Sequence, residues 1–236
     1  MLVGSDYPKI EFEAFGLDLV EPNAMIGDAI ICLVALIIAF KIGKMPIQNT
    51  FFKSWKLFFI IFGIGFFFGG LGHMMYNYWG LPGKYPSWYS GIIASFFIER
   101  AMISIHSNEQ FKRIFNAIIT GKLVLALIGA TAVFMFVDLE ADPSLGLRVP
   151  TLNTTIGLLF ALGYLGLNYT KTIFSGFKYL WISIIILIPT AFLQTMKISF
   201  HQYFDRNDAS HILLIIGLIM YFASIKAYQN FLSSKN

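Results

Sequence analysis

Seven apolar stretches, each close to the length needed to cross a bilayer, leave this chain few folds to choose from. They fall near 24–40, 57–76, 88–105, 122–137, 152–169, 179–196 and 208–228. A helix rising 1.5 Å per residue needs about 20 apolar residues to traverse the hydrocarbon core. The links between the runs are short, which favours antiparallel neighbours in one bundle. The expectation is therefore an all-α, polytopic membrane protein: a seven-transmembrane-helix bundle forming one domain over 1–236. Residues 1–23 are expected as an external N-terminal segment. That segment is acidic (Asp6, Glu11, Glu13, Asp18, Glu21) and lacks the basic start and apolar core of a signal peptide.

Composition agrees. Hydrophobic residues make up 57% of the 236 positions and charged residues 13%, about half the charged fraction of a soluble domain. The net charge of +4 comes with no basic cluster or aromatic-basic platform, so nucleic acid is not an expected partner. The only cysteine, Cys32, excludes an intrachain disulfide.

The 17 Lys and Arg residues set the expected orientation, because cytoplasmic loops retain them. With the N-terminus outside and the C-terminus inside, 12 fall inside, from Lys41 to Lys235 and including Lys122, and 5 outside: Lys9, Lys84, Arg148, Lys197 and Arg206. The location implied is a multi-pass protein of the cell (inner or plasma) membrane with membrane lipid around it.

The second run contains the glycine-dense row Gly63, Gly65, Gly69, Gly70 and Gly72. Such a row lets another helix approach closely, or clears room for a ligand beside His73. Pro189 is expected to kink the sixth helix. Glu99 and Arg100, at the inner end of the third, are expected to be structural, with Glu99 meeting a basic partner.

Polar residues at membrane depth are costly, so their positions carry information. His73, His201 and His211 map to the outer side, with Asp28, Asp138, Asp205 and Asp208. His106 lies in an inside loop. Asp208 and His211, spaced i, i+3, share a helix face. Imidazole with carboxylate is a donor set that zinc favours, and zinc-bound water can attack an amide or ester. No two histidines stand at i, i+4, however. The same residues also suit a membrane boundary, where Asn207 or Asp208 would cap the last helix.

Helix two reads Gly69-Gly-Leu-Gly-His73 and helix seven Asn207-Asp-Ala-Ser-His211. With seven helices and an outside N-terminus, this resembles the alkaline ceramidases and the wider seven-transmembrane hydrolase superfamily that includes the adiponectin-type receptors. That superfamily carries Ser-x-x-x-His on helix two and His-x-x-x-His on helix seven. Here Gly69 replaces the serine and Asn207 the first helix-seven histidine. The resemblance implies zinc on His73 and His211, with Asp208 or His201 left to supply a third ligand. Asp208 and Asp205 would then be the catalytic carboxylates, Asp205 shuttling protons.

Two functions follow. One is a zinc-dependent hydrolase of a lipid amide or ester near the outer leaflet. The other is a non-enzymatic transporter, channel or receptor-like sensor with a polar His/Asp vestibule. A retinal photoreceptor does not fit, since Lys226, the one lysine in the last run, lies near its inner end.

Overall fold

The computed structural model of the protein describes residues 1–235. Its long helices are α1 (Pro22–Gly43), α2 (Thr50–Met74), α3 (Tyr85–Ser104), α4 (Glu109–Phe136), α5 (Leu145–Thr172), α6 (Lys178–Thr195) and α7 (Arg206–Ser233). Within α5 the segment Leu159–Leu165 is wound as a π-helix. Six of the seven are long and apolar enough to cross a membrane. The exception is α3, whose 20 residues include Ser87, Ser90, Ser95, Glu99 and Arg100.

Helices α1, α2, α3, α5, α6 and α7 each pack on the next, and α7 returns to α1, so the six close a ring. Helix α4 lies outside it, against α3 and α5. The core is aromatic: Phe51, Phe52, Trp55 and Phe58 of α2 meet Tyr221 and Tyr228 of α7. Ring pairs of this kind add about 0.5–1.5 kcal/mol each beyond area burial.

Helix starts explain where the apolar runs mislead. Helix α4 begins at Glu109, thirteen residues before the apolar run, because Asn108 caps it by accepting from the Phe111 N–H at 3.0 Å. Phe111 and Phe115 then stack along it at 4.1 Å between ring centroids. Lys122 thus lies within a helix rather than at its mouth. Helix α7 is capped by Asp205, not by Asn207 or Asp208. Asp205 accepts from the Asn207 and Asp208 N–H groups, and Asp208 Oδ2 accepts in return from the Asp205 N–H at 2.9 Å. Helix α6 runs on through Pro189.

The N-terminal segment is ordered, which the all-α expectation had not included. Strands β1 (Glu11–Ala14) and β2 (Leu17–Val20) form an antiparallel hairpin, Glu11 opposite Val20 and Ala14 opposite Leu17. Its turn residues Phe15 and Gly16 both take positive φ, 54° and 73°, as a two-residue hairpin turn requires. Ahead of it, Leu2 bridges Ser199 through both backbone N–H groups, at 2.7 and 2.9 Å. Arg206 holds Asp6 at 3.1 Å. Residues 2–20 therefore lie across one end of the bundle, here called the hairpin end.

Candidate functional site

The glycine row of α2 does two jobs. A Cβ added at Gly63 would lie 3.0 Å from Ala35 Cβ, and one at Gly72 would lie 2.8 Å from the Gly83 carbonyl carbon. These positions must be bare for α1 and the 81–84 turn to come so close. At Gly69 the neighbours are polar: a Cβ would lie 3.0 Å from Ser87 Oγ and 3.3 Å from Asp28 Oδ2. Clearance there opens a cavity.

That cavity, of about 140 Å³, lies at the hairpin end. Asp28 of α1, His73 of α2, Ser87 of α3, and Asn207 and His211 of α7 line it. Lys84, just before α3, reaches in, and Phe66 and Trp88 form the apolar walls. The space suits a few waters or a small polar molecule.

Two carboxylate–imidazole pairs border this space, one from α1 and one from the residue just before it. Asp28, only 5% exposed, places Oδ1 3.1 Å from His211 Nε2. His211 Nδ1 is buried with no hydrogen-bond partner among the described residues. The ring rests on Gly27, where a Cβ would come 3.1 Å from His211 Cε1 and closer still to Nδ1. Glu21 places Oε2 2.9 Å from His73 Nδ1. Lys84 Nζ lies 3.4 Å from that same nitrogen. Nδ1 thus stands between a carboxylate, to which its N–H can donate, and an ammonium, from which its lone pair can accept.

Glu21 is aimed by strained backbone. Its φ of 53° and ψ of 54° put a non-glycine residue in the left-handed region. Its N–H donates to the Ile10 carbonyl at 2.8 Å, tying the hairpin strap to the start of α1. Burial alone would raise the Glu21 pKa. The hydrogen bond and charge of His73, with Lys9 at 3.4 Å and Lys84, outweigh it and bring the carboxyl down to about 2. Burial pushes the Lys84 ammonium below the ordinary lysine range, against the pull of Glu21 and Asp28.

A depressed carboxylate stabilises the fold above its unfolded pKa, and that stability is lost as pH falls through the folded value. Glu21→Gln should therefore cost up to about 3 kcal/mol at neutral pH. The deficit should shrink as pH falls from 4.5 towards 2. Thermal unfolding in detergent across that range reads it; a deficit that does not change with pH would contradict the assignment.

Of the residues singled out in the sequence, His73 and His211 reach one cavity. Asp205 and Asp208 are engaged in the α7 cap, Asp208 Oδ2 also accepting from Asn23 Nδ2 at 2.9 Å. His201 is exposed in a turn, its N–H bonded to the Phe204 carbonyl and its Nδ1 accepting from the Tyr203 N–H. Among the described residues no three His, Cys, Asp or Glu side chains are grouped to hold a metal ion. Sequence reasoning had grouped Asp28 with His73 and His211 at one end of the bundle without pairing it to His211, and had given Glu21 and Lys84 no part in the site.

Residues 24–230 match the model of a family of unknown function, DUF6962. The chain belongs to that family. The match takes in all seven long helices, leaving out only the ends of α1 and α7, while the hairpin and Glu21 precede it. No curated protein and no solved structure matched the chain.

Proposed function

We propose that this DUF6962 protein crosses the membrane seven times, N-terminus outside and C-terminus inside, and works as a proton-responsive sensor or transporter with a polar vestibule at its outer end. The charge distribution supports the orientation. Of the 17 Lys and Arg, five lie at the hairpin end, eleven at the opposite end, and Lys122 within α4. Helix α3 completes the odd number of crossings. Flanked by α2 and α5 in the ring, it has its serines and Glu99 sheltered from lipid.

The observation that carries the functional reading is the double pairing made by α1 and the residue before it: Glu21 to His73 on α2 and Asp28 to His211 on α7, around one cavity. Histidine is the side chain that changes charge near neutral pH. Protonating either ring turns a hydrogen bond to a carboxylate into an ion pair, adding a coulombic attraction to it. Acidification outside would thereby tighten α1 onto α2 and α7, and a small polar ligand in the vestibule would feel both changes. In nanodiscs, Trp88 fluorescence should change on acidification, and the change should be lost in His73→Gln and His211→Gln. A curve unchanged by either substitution would contradict the proposal.

A second reading is the zinc-dependent lipid amide or ester hydrolase, with membrane lipid as substrate. Its support is that His73 and His211 border the same cavity with Asp28 beside them, a donor chemistry that zinc accepts. Ser87 Oγ also lies where a side chain at Gly69 would project, so α3 offers the hydroxyl that α2 lacks. Among the described residues His73, His211 and Asp28 are not grouped to hold an ion as they stand, so this reading requires the three side chains to draw together around it. Lys84 so close to His73 weighs against a second positive charge there. Zinc retained in stoichiometric amount by the purified chain, and lost in His211→Ala, would favour this reading.

A further inference from the structure

The end of the bundle opposite the hairpin carries a groove of about 670 Å³ between α3 and the start of α4. Arg100 of α3 and Lys112 and Arg113 of α4 converge on it, beside Ser104, Asn116 and Thr120. Lys112 is held by Glu109 at 2.7 Å. Arg100 and Arg113 are exposed and enter no ion pair among the described residues. Three cations held together against one carboxylate repel one another unless an anion joins them.

We infer that this groove binds a phosphate-bearing anion, the headgroup of an acidic lipid in the adjoining leaflet. Guanidinium groups match phosphate oxygens two at a time, and a lysine adds a point charge. Basic pockets between membrane helices recognise acidic headgroups in this way. The depth is right, because the groove is built from the last residues of α3 and the first turns of α4. The surroundings suit the rest of a lipid. Phe96 lines the groove, and α4 stands outside the ring of six helices, against α3 and α5. An acyl chain passing Phe96 leaves the phosphate on the arginines. The groove is independent of the hairpin-end cavity and of either reading of it.

The test uses the full chain in detergent with an equimolar mixture of phosphatidylcholine and phosphatidic acid, bound lipid being read by native mass spectrometry. In parallel, inorganic phosphate is titrated without lipid. Phosphatidic acid should be retained in preference to phosphatidylcholine. Arg100→Gln/Arg113→Gln should weaken retention at least about tenfold, while Lys171→Gln, at the same membrane level on α5, should leave it unchanged. Thermal melting on the same samples checks folding; should the double variant unfold, the single exposed Arg113→Gln gives the readout. Phosphate binding that is lost in the variant, without lipid retention, would support the anion site and reassign its occupant to free phosphate. Equal retention of both lipids together with no phosphate binding, or retention untouched by the substitutions, would overturn it.

Discussion

Lys122→Met should destabilise the bundle by about 3–5 kcal/mol, the cost of leaving one partner of a buried ion pair alone. Lys122 Nζ lies 2.8 Å from Glu99 Oε2, and Glu99 is only 2% exposed. The ammonium also donates to the Asn153 carbonyl at 3.1 Å, so one lysine joins α3, α4 and α5. Gly157 of α5 makes the room, since a Cβ there would come 3.1 Å from Lys122 Nζ and 3.2 Å from Glu99 Cδ. Removing the lysine strands a carboxylate in an environment that neither water nor hydrocarbon can satisfy. Glu99→Gln/Lys122→Met, which removes both charges, should recover most of the loss. Thermal unfolding in detergent reads all three proteins. A double variant as unstable as Lys122→Met would show that the two residues do not act as a pair.

Gly65→Ala should cost about 1–3 kcal/mol through overpacking, and Ser90→Gly should return much of it. The added Cβ would lie 2.6 Å from Ser90 Cβ and closer still to its hydroxyl. Ser90 Oγ is meanwhile tied to the Ser87 carbonyl at 2.7 Å, which hinders its retreat. Relief requires α2 and α3 to separate, and that movement would carry Ser87 and Lys84 away from Asp28 and His73. Stability and the pH response should therefore fall together in Gly65→Ala and recover together in the double variant. A Gly65→Ala protein of normal stability would place the α2–α3 crossing elsewhere.

These two predictions mark how far the sequence could be read. Run length announced the helices, since a spanning helix has no cheaper way to be made. It misplaced the start of α4, because Asn108 and the Phe111–Phe115 stack act through capping and packing, which hydropathy does not record. A basic partner for Glu99 was foreseeable from the cost of a lone buried charge. Its identity was not, because Lys122 read as the first residue of the fourth run, at the mouth of its helix. His73 and His211 could be placed at one end from helix direction alone. Glu21 and Lys84 could not: a left-handed backbone at Glu21 and the tight 81–84 turn against Gly72 aim them, and neither leaves a pattern in spacing. The hairpin turn at Phe15 and Gly16 escaped notice because phenylalanine is a poor marker for positive φ.

Glu21 holds His73 and Asp28 holds His211 at one cavity. Nitrogen-15 NMR of ring-labelled histidine in the full chain, followed between pH 8 and 5, reads both pairings. Glu21→Gln should change the ring signals of His73 alone, and Asp28→Asn those of His211 alone. Rings that ignore the loss of these carboxylates, or that hold metal-bound signals throughout the range, would contradict the pairings.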